Sequence, residues 1–318
     1  MKITILDGYG LNPGDLSWSG FEELGQVEIF DRTAPGELLE RAKDSEVLIT
    51  NKTVLDAKTI EALPKLQYIG VLATGYNVVD TDAAKKKGVA VTNIPSYSTM
   101  SVAQHVFALL LAVTDRPEHY AREVSDGKWS NSKDFCFWDT QLTELAGKNF
   151  GIVGLGNIGQ AVARIALAFG MNVLAFTSKG SNNLPTGVKK VSFDELLELS
   201  DVLSLHCPLT PDTFHLINEE TIGKMKVGAI LINTGRGPLI DEPAVAQALK
   251  DGKISAFCAD VLSTEPPAHD NPILTAPNAY ITPHIAWATF EARKRLMEIA
   301  VDNLNQYLSG HPVNVVNT

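Results

Sequence analysis

The sequence predicts an α/β protein with two parallel, Rossmann-like sheets, and three observations support this fold class. Short apolar runs alternate with helical stretches along nearly the whole chain, which is typical of parallel strands joined by crossover helices. The alternation is interrupted once, by a long apolar helix, and then begins again. The chain has 318 residues, which is long for a single hydrophobic core and suits two domains.

Five strands are predicted before the interruption, each a short run rich in branched apolar residues. They are Ile3–Leu6, Val27–Phe30, Val47–Thr50, Tyr68–Leu72 and Val89–Thr92. The pattern changes at residues 93–96 (NIPS). A long apolar helix is predicted from about Ser98 to Thr114, and a more polar helix from Glu118 toward Trp129.

A second alternating series follows, and it predicts a second parallel sheet. Its strands are Gly151–Val153, Val173–Phe176, Val202–Leu205, Ala229–Asn233, Ala256–Asp260 and Tyr280–Thr282. Apolar residues at helical spacing then predict an amphipathic helix over Ala288–Leu308. A short extended tail is expected at Val313–Val316.

The second series opens with the motif G-x-G-x-x-G at residues 154–159 (GLGNIG). Gly154 permits a sharp turn, Gly156 lets the backbone approach a pyrophosphate, and Gly159 lets the following helix pack on its strand. The start of that helix offers unpaired N–H groups to a phosphate. Such motifs also occur in turns that bind no phosphate. Here a strand precedes the motif and apolar residues follow it at helical spacing, which favours a dinucleotide site: Ala161, Val162, Ile165, Ala166 and Phe169.

These patterns predict two domains. We expect residues 98–287 to form an NAD(P)-binding Rossmann domain, inserted into a flavodoxin-like substrate domain made of residues 1–97 and 288–318. A cleft between the two domains is the expected place for chemistry.

Composition excludes several other classes of function. The formal net charge is −10 and the densest basic cluster is residues 85–87 (KKK), so nucleic acid or an anionic membrane surface is not expected as a partner. The first residues lack the apolar core of a signal peptide, and the run 106–113 is too short to span a bilayer. We therefore expect a cytoplasmic protein whose three widely spaced cysteines are reduced thiols.

The histidines show no metal-binding spacing, and no metal site is predicted. His105 falls inside the long apolar helix, where a core or cleft-wall position is expected. Four others occur outside any motif and are expected at the surface: His119, His215, His269 and His311.

Three further motifs follow the glycine turn in order. They are residues 232–237 (INTGRG), 260–267 (DVLSTEPP) and 282–287 (TPHIAW). Together with the glycine turn they resemble the D-isomer-specific 2-hydroxyacid dehydrogenases across essentially the whole chain. The surroundings of Lys52, of residues 73–77 (ATGYN) and of Trp138 look most like the glycerate dehydrogenase or hydroxypyruvate reductase branch of that family.

Each of the three motifs carries one side chain to which the resemblance gives a catalytic role. The rigid guanidinium of Arg236 suits a substrate carboxylate and the adjacent carbonyl. His284 can exchange a proton with the carbonyl oxygen, and Glu265 can orient its ring. Taken singly, the three could instead be a surface turn residue, an acid at a helix start and a histidine satisfied by backbone.

The resemblance also implies a cofactor site beyond the three glycines of the turn. An acid normally follows the second cofactor strand of an NAD enzyme and binds the ribose 2′-hydroxyl, but this chain has Thr177 there and no acid between Gly170 and Phe193. We therefore expect NADP to be accepted as well as NAD. The remaining implied contacts are Leu155, Asn157, Ile158, Ser178, Lys179, His206, Cys207, Pro208, Thr213, Asn233, Thr234, Gly235, Asp260 and Ala286.

For the substrate, the resemblance implies contacts from Lys52, Ala73, Thr74 and Gly75 in addition to Arg236 and His284. It implies that Trp138 reaches the pocket of the partner subunit, and hence a homodimer. Hydroxypyruvate or glyoxylate is the expected 2-oxo acid, with another small 2-oxo acid as an alternative. A cofactor-sensing corepressor or binding module on the same fold is an alternative of a different class.

Overall fold

The computed structural model describes all residues from Met1 to Thr318. The chain divides into two compact units, which comprise Met1–Ser98 with Trp287–Thr318, and Thr99–Ala286. Each unit contains one parallel sheet, of five and seven strands respectively. The predicted fold class is confirmed. No helix is both long and apolar enough to cross a bilayer.

The first unit has the strand order β2-β1-β3-β4-β5. Every residue of β3 and β4, two of its three interior strands, is buried, because helices cover a parallel sheet on both faces. The strands are β1 Lys2–Ile5, β2 Gln26–Ile29, β3 Val47–Thr50, β4 Tyr68–Val71 and β5 Ala90–Thr92. The helices are α1 Ser19–Glu22, α2 Leu38–Ala42, α3 Ala57–Ala62, α4 Thr81–Lys87 and, near the C-terminus, α11 Phe290–Leu308.

The second unit has the strand order β12-β11-β10-β9-β6-β7-β8. Its strands are β6 Asn149–Val153, β7 Asn172–Phe176, β8 Val188–Lys190, β9 Val202–Leu205, β10 Ala229–Asn233, β11 Ile254–Ala259 and β12 Ala279–Ile281. Its helices are α5 Thr99–Thr114, α6 Pro117–Ser125, α7 Asn157–Ala168, α8 Phe193–Leu199, α9 Glu219–Lys224 and α10 Glu242–Lys250. The core consists of two apolar clusters.

The strands and long helices that the sequence predicts lie within two residues of the observed bounds, with two exceptions. The polar helix α6 ends at Ser125 instead of running toward Trp129, because Gly127 takes a left-handed conformation with φ of 85°. The strand β8 was not predicted. Its sequence is Val-Lys-Lys with two exposed lysines, which lacks the apolar signal of a strand and suits the edge of a sheet.

The extended tail lies along β5 in the first unit. Val315 forms an antiparallel bridge with Thr92, and the Val316 N–H donates to the Val91 carbonyl at 2.9 Å. The Asn317 side chain also accepts from the Val91 N–H at 2.9 Å. The tail therefore covers backbone groups that an edge strand would expose.

Candidate active site

The three predicted catalytic residues lie at one edge of the second sheet. Arg236 follows β10, Glu265 follows β11 and His284 follows β12. These strands are parallel and adjacent, so their carboxyl ends share an edge, which is where open α/β sheets bind ligands.

Glu265 and His284 are in direct contact. The Oε2 atom of Glu265 lies 2.6 Å from Nδ1 of His284, and Oε1 accepts the N–H of Leu262 at 3.1 Å. A carboxylate only accepts hydrogen bonds, so Nδ1 of His284 carries a proton. Glu265 thus orients the His284 ring through its Nδ1 atom.

Backbone packing places the Arg236 turn against the start of the loop that carries Glu265. The Asn233 side chain is fully buried, donates to the Arg236 carbonyl at 2.9 Å and accepts the Gly235 N–H at 3.1 Å. A side chain at Gly237 would begin 2.0 Å from the carbonyl carbon of Leu262, so glycine is required there. The Arg236 guanidinium is exposed and donates to the Gly235 carbonyl at 2.8 Å.

The glycine turn has the geometry that its motif predicts. Gly154 has φ of 90°, and a Cβ there would lie 2.6 Å from the Cys207 nitrogen. A Cβ at Gly159 would lie 2.2 Å from the Gly154 carbonyl oxygen. A Cβ at Gly156, just before α7, would meet nothing within 4 Å. Two glycines thus serve protein packing, whereas the third keeps a space open at the start of a helix, where a phosphate binds well.

A buried polar atom also points to a ligand. The Thr234 hydroxyl is buried and has no hydrogen-bond partner in the protein, which is costly unless a bound group pairs with it. His206 and Cys207 pack beside the glycine turn, and the His206 N–H donates to the Val153 carbonyl at 2.8 Å. Burial lowers the pKa of His206 to about 4, so its imidazole is neutral at pH 7. These residues fit a dinucleotide.

The other predicted cofactor residues differ in what their side chains can offer. The Leu155 side chain is buried in the core, so only its backbone can meet a ligand. The Thr213 hydroxyl donates to the Pro208 carbonyl at 2.8 Å and closes its own loop.

Thr177, Ser178 and Lys179 follow β7 at the carboxyl edge, and the Lys179 N–H donates to the Thr177 hydroxyl at 3.2 Å. Asn157 and Ile158 form the first turn of α7, where Ile158 packs against the core.

The predicted substrate residues of the first unit follow β3 and β4, which are neighbours. A carboxylate that sequence analysis missed, Asp7, organises the Lys52 loop. It accepts the backbone N–H groups of Asn51, Lys52 and Thr53 at 2.7, 2.6 and 2.7 Å. The Thr74 hydroxyl donates to the Ile94 carbonyl at 2.8 Å and fixes the loop after β4, which contains Ala73 and Gly75.

Trp138 lies in an exposed aromatic loop of the second unit. Its exposed fraction is 70%, and that of Phe135 is 89%. Next to it, Asp139 binds Lys128 at 2.6 Å and His119 at 2.9 Å, and these partners lower the pKa of Asp139 to about 2. His119 is at the surface as predicted, but it helps to hold this loop.

Comparison with known proteins identifies the family. The sequence profile described as D-isomer specific 2-hydroxyacid dehydrogenase, NAD binding domain, matches residues 107–286, which is more than half of the chain. The chain belongs to the D-isomer-specific 2-hydroxyacid dehydrogenase family. It is therefore an oxidoreductase that uses a nicotinamide dinucleotide and acts on the CH–OH group of small 2-hydroxy acids.

Three relatives of this dehydrogenase are similar over its whole length. It is 51% identical to the hydroxypyruvate reductase of Blautia hydrogenotrophica, and the match covers 100% of both chains. It is 43% identical to the glycerate dehydrogenase of Methylorubrum extorquens, with 99% and 98% of the two chains covered. The solved D-lactate dehydrogenase from Aquifex aeolicus, complexed with NAD and lactic acid, has a TM-score of 0.84 and 32% identity, with 100% and 99% covered.

The structure gives two carboxylates of this dehydrogenase supporting roles that motifs did not reveal. Glu242, at the start of α10, accepts the Ser263 N–H at 2.7 Å and the Asn271 amide at 2.6 Å, and so braces the loop that carries Glu265. The Asp260 carboxylate, predicted to contact the cofactor, accepts hydrogen bonds from the turn that carries His284. Sequence spacing gives no signal for either role, because the partners are distant in the chain.

Proposed function

We propose that this dehydrogenase reduces hydroxypyruvate, and also glyoxylate, to the corresponding 2-hydroxy acid. The hydrogen bond of 2.6 Å between Glu265 and His284, at the edge that also carries Arg236, is the observation that carries the proposal. This hydrogen bond orients His284 as a proton donor, and the Arg236 cation at the same edge suits a substrate carboxylate. The hydroxypyruvate reductase relative at 51% identity supports the choice of substrate.

Each residue of the trio has a separate task in this proposal. The Arg236 fork binds the substrate carboxylate and polarises the neighbouring carbonyl. His284 donates its Nε2 proton to the carbonyl oxygen as negative charge develops there. Glu265 keeps the proton of Nδ1 in place and stabilises the charged ring. A bound reduced nicotinamide supplies the hydride.

The cofactor would be held by the second unit. The open space at Gly156 and the start of α7 suit the pyrophosphate, and the buried hydroxyl of Thr234 suits a polar group of the ligand. We propose that NADP is accepted as well as NAD. Thr177 does not repel a 2′-phosphate as an acid would, and Ser178 with Lys179 can bind one.

We propose that the first unit is the substrate domain and that the enzyme is a homodimer. Lys52, Ala73, Thr74 and Gly75 would bind the substrate from the first unit. Trp138 of the partner subunit would complete the pocket, and the exposure of this aromatic loop supports that role. All three cysteines are free thiols, which suits the proposed cytoplasmic location.

A steady-state assay tests the proposal. The oxidation of NADH and of NADPH is followed with hydroxypyruvate, glyoxylate, pyruvate and 2-oxoisocaproate as substrates. We expect the highest kcat/KM with hydroxypyruvate, and turnover with both reduced nicotinamides. A higher kcat/KM for pyruvate or 2-oxoisocaproate would refute the substrate assignment. Thermal stabilisation by NADH but not by NADPH would refute the cofactor assignment.

A further inference from the structure

The turn that carries His284 is built on a buried carboxylate. Asp260 has an exposed fraction of only 1%. Its Oδ1 atom accepts the Thr282 hydroxyl at 2.6 Å and the Ile285 N–H at 2.8 Å, and its Oδ2 atom accepts the Ala286 N–H at 2.7 Å. The carboxylate therefore binds a side chain that precedes His284 and two backbone N–H groups that follow it.

A histidine of helix α5 extends this network. His105 Nε2 lies 2.9 Å from the Thr282 hydroxyl and 3.6 Å from Asp260 Oδ1. The Thr282 hydroxyl has a single O–H group and donates it to Asp260, so it accepts a hydrogen bond from Nε2–H of His105. The hydrogen bonds then run in one direction, from His105 through Thr282 to Asp260. Nε2 of the His105 ring is therefore protonated in this arrangement.

The turn needs such support because its backbone is strained. His284 has φ of 56°, in the left-handed region, which costs a residue with a side chain roughly 1–3 kcal/mol. Such a conformation persists only where neighbouring contacts determine it. Here Asp260 and Thr282 supply those contacts, and the Ser101 hydroxyl adds one by donating to the Ala286 carbonyl at 2.5 Å.

We propose that His105 and Thr282 are positioning residues for the proton donor. They hold Asp260 and, through it, the strained turn in the conformation that places the His284 ring against Glu265 and the substrate oxygen. The inference rests on the proposed role of His284 as the proton donor. The network itself lies wholly within the second unit and needs no bound ligand.

Thr282 offers a matched pair of variants that tests this inference. Thr282→Val keeps the shape of the side chain but removes the hydroxyl, whereas Thr282→Ser keeps the hydroxyl. We expect Thr282→Val to lower kcat for hydroxypyruvate roughly 10- to 100-fold with little change in KM, as loss of a supporting hydrogen bond does at other sites. Thr282→Ser should restore kcat to within about threefold of the wild type. His105→Leu and His105→Gln form a second pair, since the Gln amide can still donate to Thr282.

A spectroscopic measurement separates this inference from the proposed function. In the cofactor-free protein, the Nδ1 proton of His284 that bonds Glu265 should give a downfield proton resonance in NMR spectra, assigned by its absence from Glu265→Ala. We expect the resonance to shift or broaden in Thr282→Val and to remain in Thr282→Ser. This readout requires no turnover, so it still tests the network if hydroxypyruvate proves not to be the substrate.

Two results would overturn the inference. The first is an unchanged resonance together with a kcat for Thr282→Val within about threefold of the wild type. The second is a loss of kcat in Thr282→Val that Thr282→Ser shares equally, because the hydroxyl would then be irrelevant. Melting temperatures of the cofactor-free variants are measured alongside, and a kcat loss that follows the melting temperature instead of the hydroxyl would also refute a positioning role.

Discussion

The glycine turn makes opposite predictions for two of its glycines when each is replaced by alanine. Gly156→Ala introduces a methyl group into open space, where no heavy atom lies within 4 Å, and Gly156 already has φ of −73°. Gly159→Ala places a methyl group 2.2 Å from the Gly154 carbonyl oxygen, which is backbone and has little freedom to move. The first change should therefore affect the ligand, and the second should affect the fold.

The magnitudes follow from these contacts. At Gly156, alanine is a poorer helix-cap residue than glycine, which lowers the free energy of unfolding. Alanine also reduces the entropy of the unfolded chain, which raises it. These effects are similar in size, so the free energy of unfolding should change by less than about 1 kcal/mol. At Gly159, overpacking against backbone should cost about 3 kcal/mol. At about 2–4 °C per kcal/mol, the melting temperature should fall by about 6–12 °C in Gly159→Ala.

Gly156→Ala should weaken cofactor binding although it hardly changes stability. A methyl group there separates the backbone from the pyrophosphate and weakens a hydrogen bond to a charged group, which costs about 1.5–3 kcal/mol. The Kd for NADH should therefore rise about 10- to 150-fold. Melting temperature is measured by scanning fluorimetry without cofactor, and Kd by the change in NADH fluorescence. The reasoning fails if Gly156→Ala binds NADH like the wild type, or if it melts as early as Gly159→Ala.

Three further predictions concern the predicted catalytic residues, His206 and the aromatic loop. His284→Ala should lower kcat by about 10²–10⁴-fold with a smaller effect on KM, because proton donation belongs to the transition state, whereas Arg236→Ala should also raise KM. The folded pKa of His206 lies below its ordinary value of 6.5, at about 4. The unfolded chain therefore takes up that proton first, and up to about 3 kcal/mol of stability present above pH 6.5 should be lost as the pH falls toward 4. Trp138→Ala should shift the mass measured by light scattering from dimer toward monomer.

Each of these predictions has a control. Steady-state kinetics at saturating NADH compare His284→Ala with Arg236→Ala, and equal mild losses in both would contradict the assigned roles. Urea unfolding at pH 7 and pH 4.5 compares the wild type with His206→Gln, and an identical pH dependence would show that His206 contributes nothing. Val227→Ala, at another exposed apolar residue of the second unit, is the matched surface control for Trp138→Ala. A wild type that is monomeric at micromolar concentration would refute the proposed dimer.

Local sequence determined the fold class and most of the elements of this protein. Branched apolar runs such as Val202–Leu205 and Ala229–Asn233 coincide with β9 and β10, because a strand buried on both faces is apolar along most of its length. The glycine turn was also predicted from sequence, because only glycine fits against the neighbouring backbone at Gly154 and Gly159. The sequence did not predict β8, because this edge strand has exposed lysines and pairs only with β7.

The tertiary structure decided how the side chains of the site are supported. Motifs suggested that Glu265 serves His284, but only the fold shows the hydrogen bond between residues 19 apart in the chain. The contact between His105 and Thr282 joins residues 177 apart, and no local pattern can encode such a pair. The residue types that suit the chemistry of this site are therefore visible in the sequence. The strained turn at His284 and the buried carboxylate of Asp260 that supports it depend on packing, which only the folded chain defines.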